Sequence, residues 1–253
     1  MIAKPHVRLA AAHVLEPAPV PGQAHRASLA RIVDYALPAI SDGHLRAIAT
    51  VADQFKDLPA WKSPWHFHEC ELQIGLIVNG SLDLAYDPGR KSRAAKGDIL
   101  CIPGKVLHDV GAASADYQIV EITFPGSFST VECPPPPPGS GTLARTYSIP
   151  DAYFEAGGDG LLEYRYALDG PLAARYAIRR WVRDRNAVGD NRPRRHSDRC
   201  RITCVTQGSK TVETAGVPAT RVGALDLTLM PPDTEWRDAG ISDDYEAVEI
   251  AVL

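Results

Sequence analysis

Trp65-His66-Phe67-His68-Glu69-Cys70-Glu71-Leu72-Gln73 is the stretch that decides how this chain is read. Side chains alternate faces along a strand, so His66 and His68 point the same way. Two imidazoles two residues apart on one face can grip one ion. An oxygen ligand is available a little further along, from Gln73 or, if a bulge re-aims the strand, from Glu71. His108, after the turn at Pro103-Gly104, offers a third imidazole. Three imidazoles and one oxygen suit a single divalent transition metal: Fe(II), Mn(II), Zn(II), Ni(II) or Cu(II). The competing reading makes His66 and His68 surface histidines on an edge strand.

Around this stretch the chain reads as short strands with turn punctuation. Leu45 to Ala52 follows Asp42-Gly43. Leu72 to Val78 is apolar and ends in Asn79-Gly80, a strong hairpin signal. Leu82 to Tyr86 precedes Asp87-Pro88-Gly89, Ile99 to Ile102 lies between Gly97-Asp98 and Pro103-Gly104, and Tyr117 to Phe124 is a further run. This pattern predicts an all-β barrel or sandwich. Helix is expected only at the edges, over residues 26–40 and 150–156.

The pattern occurs twice. Displacing the sequence by 128 positions sets Gly80-Ser81 on Gly208-Ser209, Asp98 on Asp226 and Pro103 on Pro231. It also sets Asp116-Tyr117 on Asp244-Tyr245 and Val120-Glu121-Ile122 on Val248-Glu249-Ile250. Between the copies runs Pro134 to Pro138, followed by Gly139-Ser140-Gly141. Five prolines impose an extended polyproline II rod that no central strand or helix tolerates, and a spacer is its expected use. The expected division is an N-terminal extension (1–30), a first copy (31–127), a proline-rich linker (128–157) and a second copy (158–253). Under the displacement His66 becomes Arg194, Gln73 becomes Arg201 and His108 becomes Trp236; only His68 keeps its type, as His196. Two permanent cations oppose metal binding, so the second copy is expected to be metal-free and structural. Its alternative role is an anion pocket formed by Arg194, His196 and Arg201.

The paired motifs resemble those of the cupin superfamily. Its first motif, His-x-His with a Glu and then a Gly at set distances, is matched by His66, His68, Gln73 and Gly80, with Gln in the place of Glu. Its second, Gly, five residues, Pro-x-Gly, two residues, His, is matched by Gly97, Pro103 and His108, with Lys105 in the place of the second Gly and Ala112 where a final Asn stands. The resemblance implies two tandem cupin barrels (double-stranded β-helix, or jelly roll) with minor helices, the first metal-binding and the second degenerate. It implies His66, His68, Gln73 and His108 as ligands, with Fe(II) favoured. It also implies a metal-dependent enzyme acting on a small oxygenated organic molecule. A non-haem dioxygenase comes first and an isomerase or cyclase of the Gln-ligand type second. A non-catalytic, sugar-like sensor related to AraC-type ligand-binding cupins is the reading from a different class. Trp65, Glu71, Tyr117 and Glu121 are candidates to line the cavity, against plain packing.

Composition bounds the partners. Hydrophobic residues make up 45% and charged residues 23% of the 253, and the net charge is −4. Nucleic-acid and lipid-surface binding normally need a basic excess, so neither is expected. No run approaches the roughly 18 apolar residues of a membrane-spanning helix. Five cysteines without a Cys-x-x-Cys pair read as free, mostly buried thiols in a cytoplasmic protein. A homodimer is compatible with exposed barrel edges.

Overall fold

The structure, a computed structural model, describes residues 6–7, 31–36, 46–51, 64–124, 129–140, 145–148, 151–158, 160–186 and 192–253. Contacts divide the chain into two units: His13–Ile149, and Pro150–Leu253 together with Met1–Ala12. Every strand pairing among the described residues is antiparallel, and helix is confined to short 3-10 turns such as Gly170–Ala174. The fold is all-β. The hydrogen-bond ladders form open sheets and do not close into barrels.

In the first unit a six-stranded sheet runs in the order Arg145–Tyr147, Ile99–Pro103, Leu72–Asn79, Gln118–Phe124, Arg46–Val51 and Arg31–Ala36. Leu72–Asn79 lies between two neighbours and is buried at nearly every position, which its continuous apolar run anticipates. A three-stranded sheet (Arg90–Ala95, Ser81–Asp87, Asp109–Ala113) and a two-stranded ribbon (Thr130–Glu132, His66–His68) complete the unit. Ile77, Leu82, Leu84, Leu100, Ile102, Tyr117 and Ile119 form one core cluster from both larger sheets.

The second unit repeats the plan. Its seven-stranded sheet runs His6–Val7, Leu227–Met230, Cys200–Gln207, Glu246–Val252, Tyr176–Arg183, Leu161–Tyr166 and Tyr153–Gly158, beside a sheet of Val217–Gly223, Ser209–Thr214 and Trp236–Ala239. Its core of Val205, Val212, Val222, Met230, Trp236, Tyr245 and Ala247 occupies the positions of Ile77, Leu84, Ala94, Ile102, His108, Tyr117 and Ile119. Backbone detail recurs as well. Positive φ is found at Gly80 and Gly208, at Gly97 and Leu225, and at Lys105 and Asp233. Gly80 has φ 66°, and a Cβ there would lie 2.9 Å from the Tyr117 Cα; Gly208 meets Tyr245 in the same way at 2.8 Å. These two turns exclude a side chain, whereas Lys105 and Leu225 accept the left-handed region at a cost.

Two expectations are corrected, and one strand is added. Residues 31–36, inside the expected helix at 26–40, form a strand paired with Arg46–Val51. Residues 153–156, expected as helix, belong to the strand Tyr153–Gly158. The exposed run Arg90–Ala95, for which the sequence reading named no element, is a strand hydrogen-bonded to Ser81–Asp87. In each case pairing with a neighbour outweighs local composition. The segment expected as a linker contributes two strands to the first unit, Thr130–Glu132 on His66–His68 and Arg145–Tyr147 on Ile99–Pro103. The proline run between them is tied at its ends by Cys133 N–H to the Trp65 carbonyl (2.9 Å) and Gly139 N–H to Asp87 Oδ2 (2.6 Å).

Candidate metal centre

His66 and His68 lie on one short strand, as alternation requires, and both are buried, 4% and 6% exposed. His108, 1% exposed, is held beside them by an isolated antiparallel bridge to His66. The ring centroids stand 4.2 Å (His66–His108), 5.0 Å (His66–His68) and 5.1 Å (His68–His108) apart. One nitrogen from each ring falls within 4.8 Å of the others, and no Asp, Glu or Cys among the described residues joins the group. They are not surface histidines on an edge strand.

A second set of groups orients the rings. His66 Nδ1 lies 2.8 Å from the Pro64 carbonyl, His108 Nδ1 3.0 Å from the Val106 carbonyl and His68 Nδ1 3.0 Å from the Thr130 hydroxyl. Carbonyls only accept, so His66 and His108 donate from Nδ1 and carry their lone pair on Nε2. This is how metal-binding imidazoles are commonly fixed. Thr130 comes from a strand 62 residues away in the chain, and nothing in the sequence signals it.

Gln73 stands opposite Ile102, and His66 opposite His108. One more residue separates His66 from Gln73 than separates Ile102 from His108. The extra residue is taken up in the bend at 69–71, which breaks the strand in two and reverses the alternation. Gln73 lies opposite Ile102 and shares a face with Gly75 and Ile77, beyond that bend. Gln73 is 7% exposed; its Nε2 donates to Glu121 Oε1 at 3.3 Å, while its Oε1 is buried without a hydrogen-bond partner. A buried acceptor lacking a donor is costly unless a cation or water satisfies it. Three imidazole nitrogens, with an amide oxygen as a fourth, are donor types that suit a divalent transition metal.

Of the other candidates, Tyr117 belongs to the core cluster, Trp65 is half-buried with its carbonyl engaged by Cys133, and Glu121 is half-buried against Gln73. Glu71 is half-buried and contributes its backbone to Phe124 and Gly104.

The equivalent place in the second unit is a small cavity lined by Arg194, Thr203, Lys210, Trp236, Asp238 and Glu249 among others. Its cations are matched by carboxylates. Lys210 Nζ is 2.9 Å from Asp238, Arg194 is 3.6 Å from Asp238, and Arg201 contacts Asp198 (2.6 Å) and Glu249 (3.4 Å). Arg179 closes the set on Glu249 at 2.7 Å. Burial alone would lower the Lys210 pKa, but Asp238 and Tyr245 outweigh it and hold the ammonium charged well above its usual range. His196 packs edge-on against Trp236 with its side chain fully buried. Sequence reasoning missed Lys210 and Asp238, although a signal existed: they fall where the first copy has Leu82 and Val110, both packed in its core.

All five cysteines are unpaired, with Cys101, Cys200 and Cys204 buried. Burial pushes the Cys200 thiol up to about 11 and the Cys204 thiol up to about 12, which leaves them inert near neutrality.

Comparison with known proteins bears on the fold. Residues 51–130, which hold all three histidines, match the model of the AraC-like ligand binding domain. A structure of Bacillus subtilis oxalate decarboxylase determined in work on its Mn(II) centres superposes with a TM-score of 0.62 at 14% identity, covering 88% of this chain and 72% of that one. This is a cupin fold. The same enzyme at pH 4.6 gives 0.61 at 14% identity over 88% and 72%. An oxalate decarboxylase structure concerned with substrate binding and a switch of reaction specificity gives 0.62 at 13%, over 88% and 73%. At these identities the likeness to the cupin structures is one of fold. No curated protein sequence matches the chain. No helix among the described residues is long and apolar enough to cross a membrane.

Proposed function

We propose that the chain is a metal-dependent enzyme built from two tandem cupin-type units, the first of which binds one divalent metal through His66, His68, Gln73 and His108 and acts on a small oxygenated organic molecule. The observation that carries this is the convergence of three buried, individually oriented imidazoles on one point. The two-unit organisation is supported by hydrogen bonds, cores and positive-φ turns that recur 128 residues apart. The second unit lacks the ligand set and fills the same space with compensated charge.

When bound, a metal with four protein ligands keeps one or two positions for substrate, and supplies Lewis acidity or, as Fe(II), redox chemistry with O2. The chain's own contribution is positional. Pro64, Val106 and Thr130 hold the imidazoles in place. Ile77, Leu100, Ile102 and Ile119 give the unit an apolar interior that excludes water. The oxygenase reading, with Fe(II), comes first. Mn(II) is the next metal to try, because the decarboxylase of similar fold has Mn(II) centres.

Metal analysis of untagged protein, followed by anaerobic Fe(II) or Mn(II) loading and assay against small carboxylic acids and diols, tests the proposal. About one metal per chain, with O2 consumed during turnover, is the expected result. Turnover without O2 consumption moves the assignment to an isomerase, cyclase or lyase. No metal uptake defeats the enzyme reading. One observation favours a second reading, a small-molecule sensor: the match of residues 51–130 to a ligand-binding domain. Tight binding of a sugar-like molecule by metal-free protein, without turnover, would establish it.

A further inference from the structure

An amide side chain is ambiguous as a metal ligand. It presents a carbonyl oxygen or an NH2 group according to a half-turn of its last torsion, and only the oxygen binds a cation. Something must select the orientation.

Gln73 and Glu121 lie on neighbouring strands. Gln73 is opposite Thr123, and Glu121 is opposite Gly75, so the two are diagonal neighbours on one face. Gly75, opposite Glu121, carries no side chain. A Cβ there would come within 3.0 Å of Ile119 Cδ1 and 3.2 Å of Leu100 Cδ1. The Gln73 NH2 donates to Glu121 Oε1 at 3.3 Å, and the carbonyl oxygen is left buried and unpartnered. A carboxylate accepts and cannot donate, so it draws the NH2 toward itself and turns the oxygen away.

The second unit supplies an independent observation. Positions 201 and 249 are the equivalents of 73 and 121, and they are also in contact: Arg201 Nη1 donates to Glu249 Oε1 at 3.4 Å. The glutamate is the same in both units, and its partner is a hydrogen-bond donor in both. In the second unit Glu249 is neutralised by Arg179 and Arg201. In the first, its counterpart Glu121 accepts from the neutral Gln73 amide.

We propose that Glu121 is a positioning residue for the metal centre: by accepting from the Gln73 NH2 it sets the orientation of Gln73 so that the amide oxygen completes the histidine site. The role depends on the reading of His66, His68 and His108 as metal ligands. It does not require any particular reaction.

The test uses full-length protein stripped of metal and titrated with Co(II), whose visible spectrum reports coordination number and whose affinity is read by competition with a chelating dye. Wild type is expected to bind one Co(II). Glu121→Gln, whose amide can donate as well as accept, is expected to weaken binding about 10- to 100-fold and to change the Co(II) spectrum. The exchanged pair, Gln73→Glu with Glu121→Gln, restores a donor behind an oxygen ligand and is expected to recover at least wild-type affinity. Wild-type affinity and spectrum in Glu121→Gln overturn the proposal, as does an exchanged pair that binds no better than Glu121→Gln. Failure of wild type itself to bind Co(II) is a different result, which removes the metal site and Glu121's role with it.

Discussion

His66 and His108 exchange both backbone hydrogen bonds, at 3.0 and 2.9 Å, across a bridge that belongs to no named strand pair. Arg194 and Trp236 make the same exchange at 2.7 and 3.0 Å. The clamp that brings His66 and His108 together is therefore a property of the repeated backbone. The side chains on it decide whether a unit carries a metal group or an ion-pair network.

Metal occupancy should be visible as stability. A ligand at about 100 times its Kd adds about 2.7 kcal/mol, which corresponds to a Tm rise of roughly 5–10 °C for a chain of this size. Calorimetry with and without chelator should show this difference in wild type and none in His108→Ala. An equal chelator effect in both proteins would place the metal elsewhere.

Metal content should not depend on the second unit. His196→Ala is expected to retain the full metal stoichiometry by elemental analysis, since its neighbours are Arg201, Asp198 and Trp236. Loss of half the metal would mean that the second unit also binds an ion.

The buried Lys210–Asp238 pair gives a sharp contrast between single and double replacement. Lys210→Leu leaves Asp238 buried beside only the longer contact to Arg194, and should cost about 3–5 kcal/mol in urea unfolding. Lys210→Leu combined with Asp238→Val installs the residues of the first unit, Leu82 and Val110, and should lie within ~1–2 kcal/mol of wild type. A double variant as unstable as the single one would contradict the ion-pair account.

Stability should fall in mild acid through His196. Burial first, and then the Arg201 cation, hold its pKa below the usual histidine range, against the weaker opposite pull of Asp198 and Glu249. Below about pH 6.5 the unfolded chain binds a proton that the folded chain resists, so stability is lost as pH drops through that region and is insensitive to this residue above it. Urea midpoints between pH 7.5 and 5 should therefore depend less on pH in His196→Gln. Identical pH profiles would refute this.

Lys105 and Leu225 adopt φ of 64° and 71°, where glycine is favoured. Lys105→Gly and Leu225→Gly should each stabilise by about 0.5–1 kcal/mol, the relief of left-handed strain less the added freedom of the unfolded chain. Thermal melts of the two variants would show it, and a drop in Tm would mean that the side chains contribute more by packing than their backbone costs.

Much of the fold was legible because it rests on local rules. Asn79-Gly80 and Gly97-Asp98 announced turns, and the apolar run from Leu72 announced a central strand. The helix expected around residues 26–40 failed because composition does not show which strand lies alongside, and Arg31–Ala36 pairs with Arg46–Val51. The three histidines were legible from their spacing. The hydroxyl of Thr130 on His68 was not, since a contact across 62 residues leaves no periodic trace.

By itself the amino-acid sequence determined the β class, the 128-residue recurrence and the identity of the clustered imidazoles, because alternation, turn chemistry and self-similarity are properties of the chain. The tertiary structure alone decided on which face Gln73 lies, that its amide donates to Glu121, and that the arginines of the second unit are already matched by carboxylates. Each of these depends on how neighbouring strands are registered, and a single extra residue at 69–71 is enough to reverse a face.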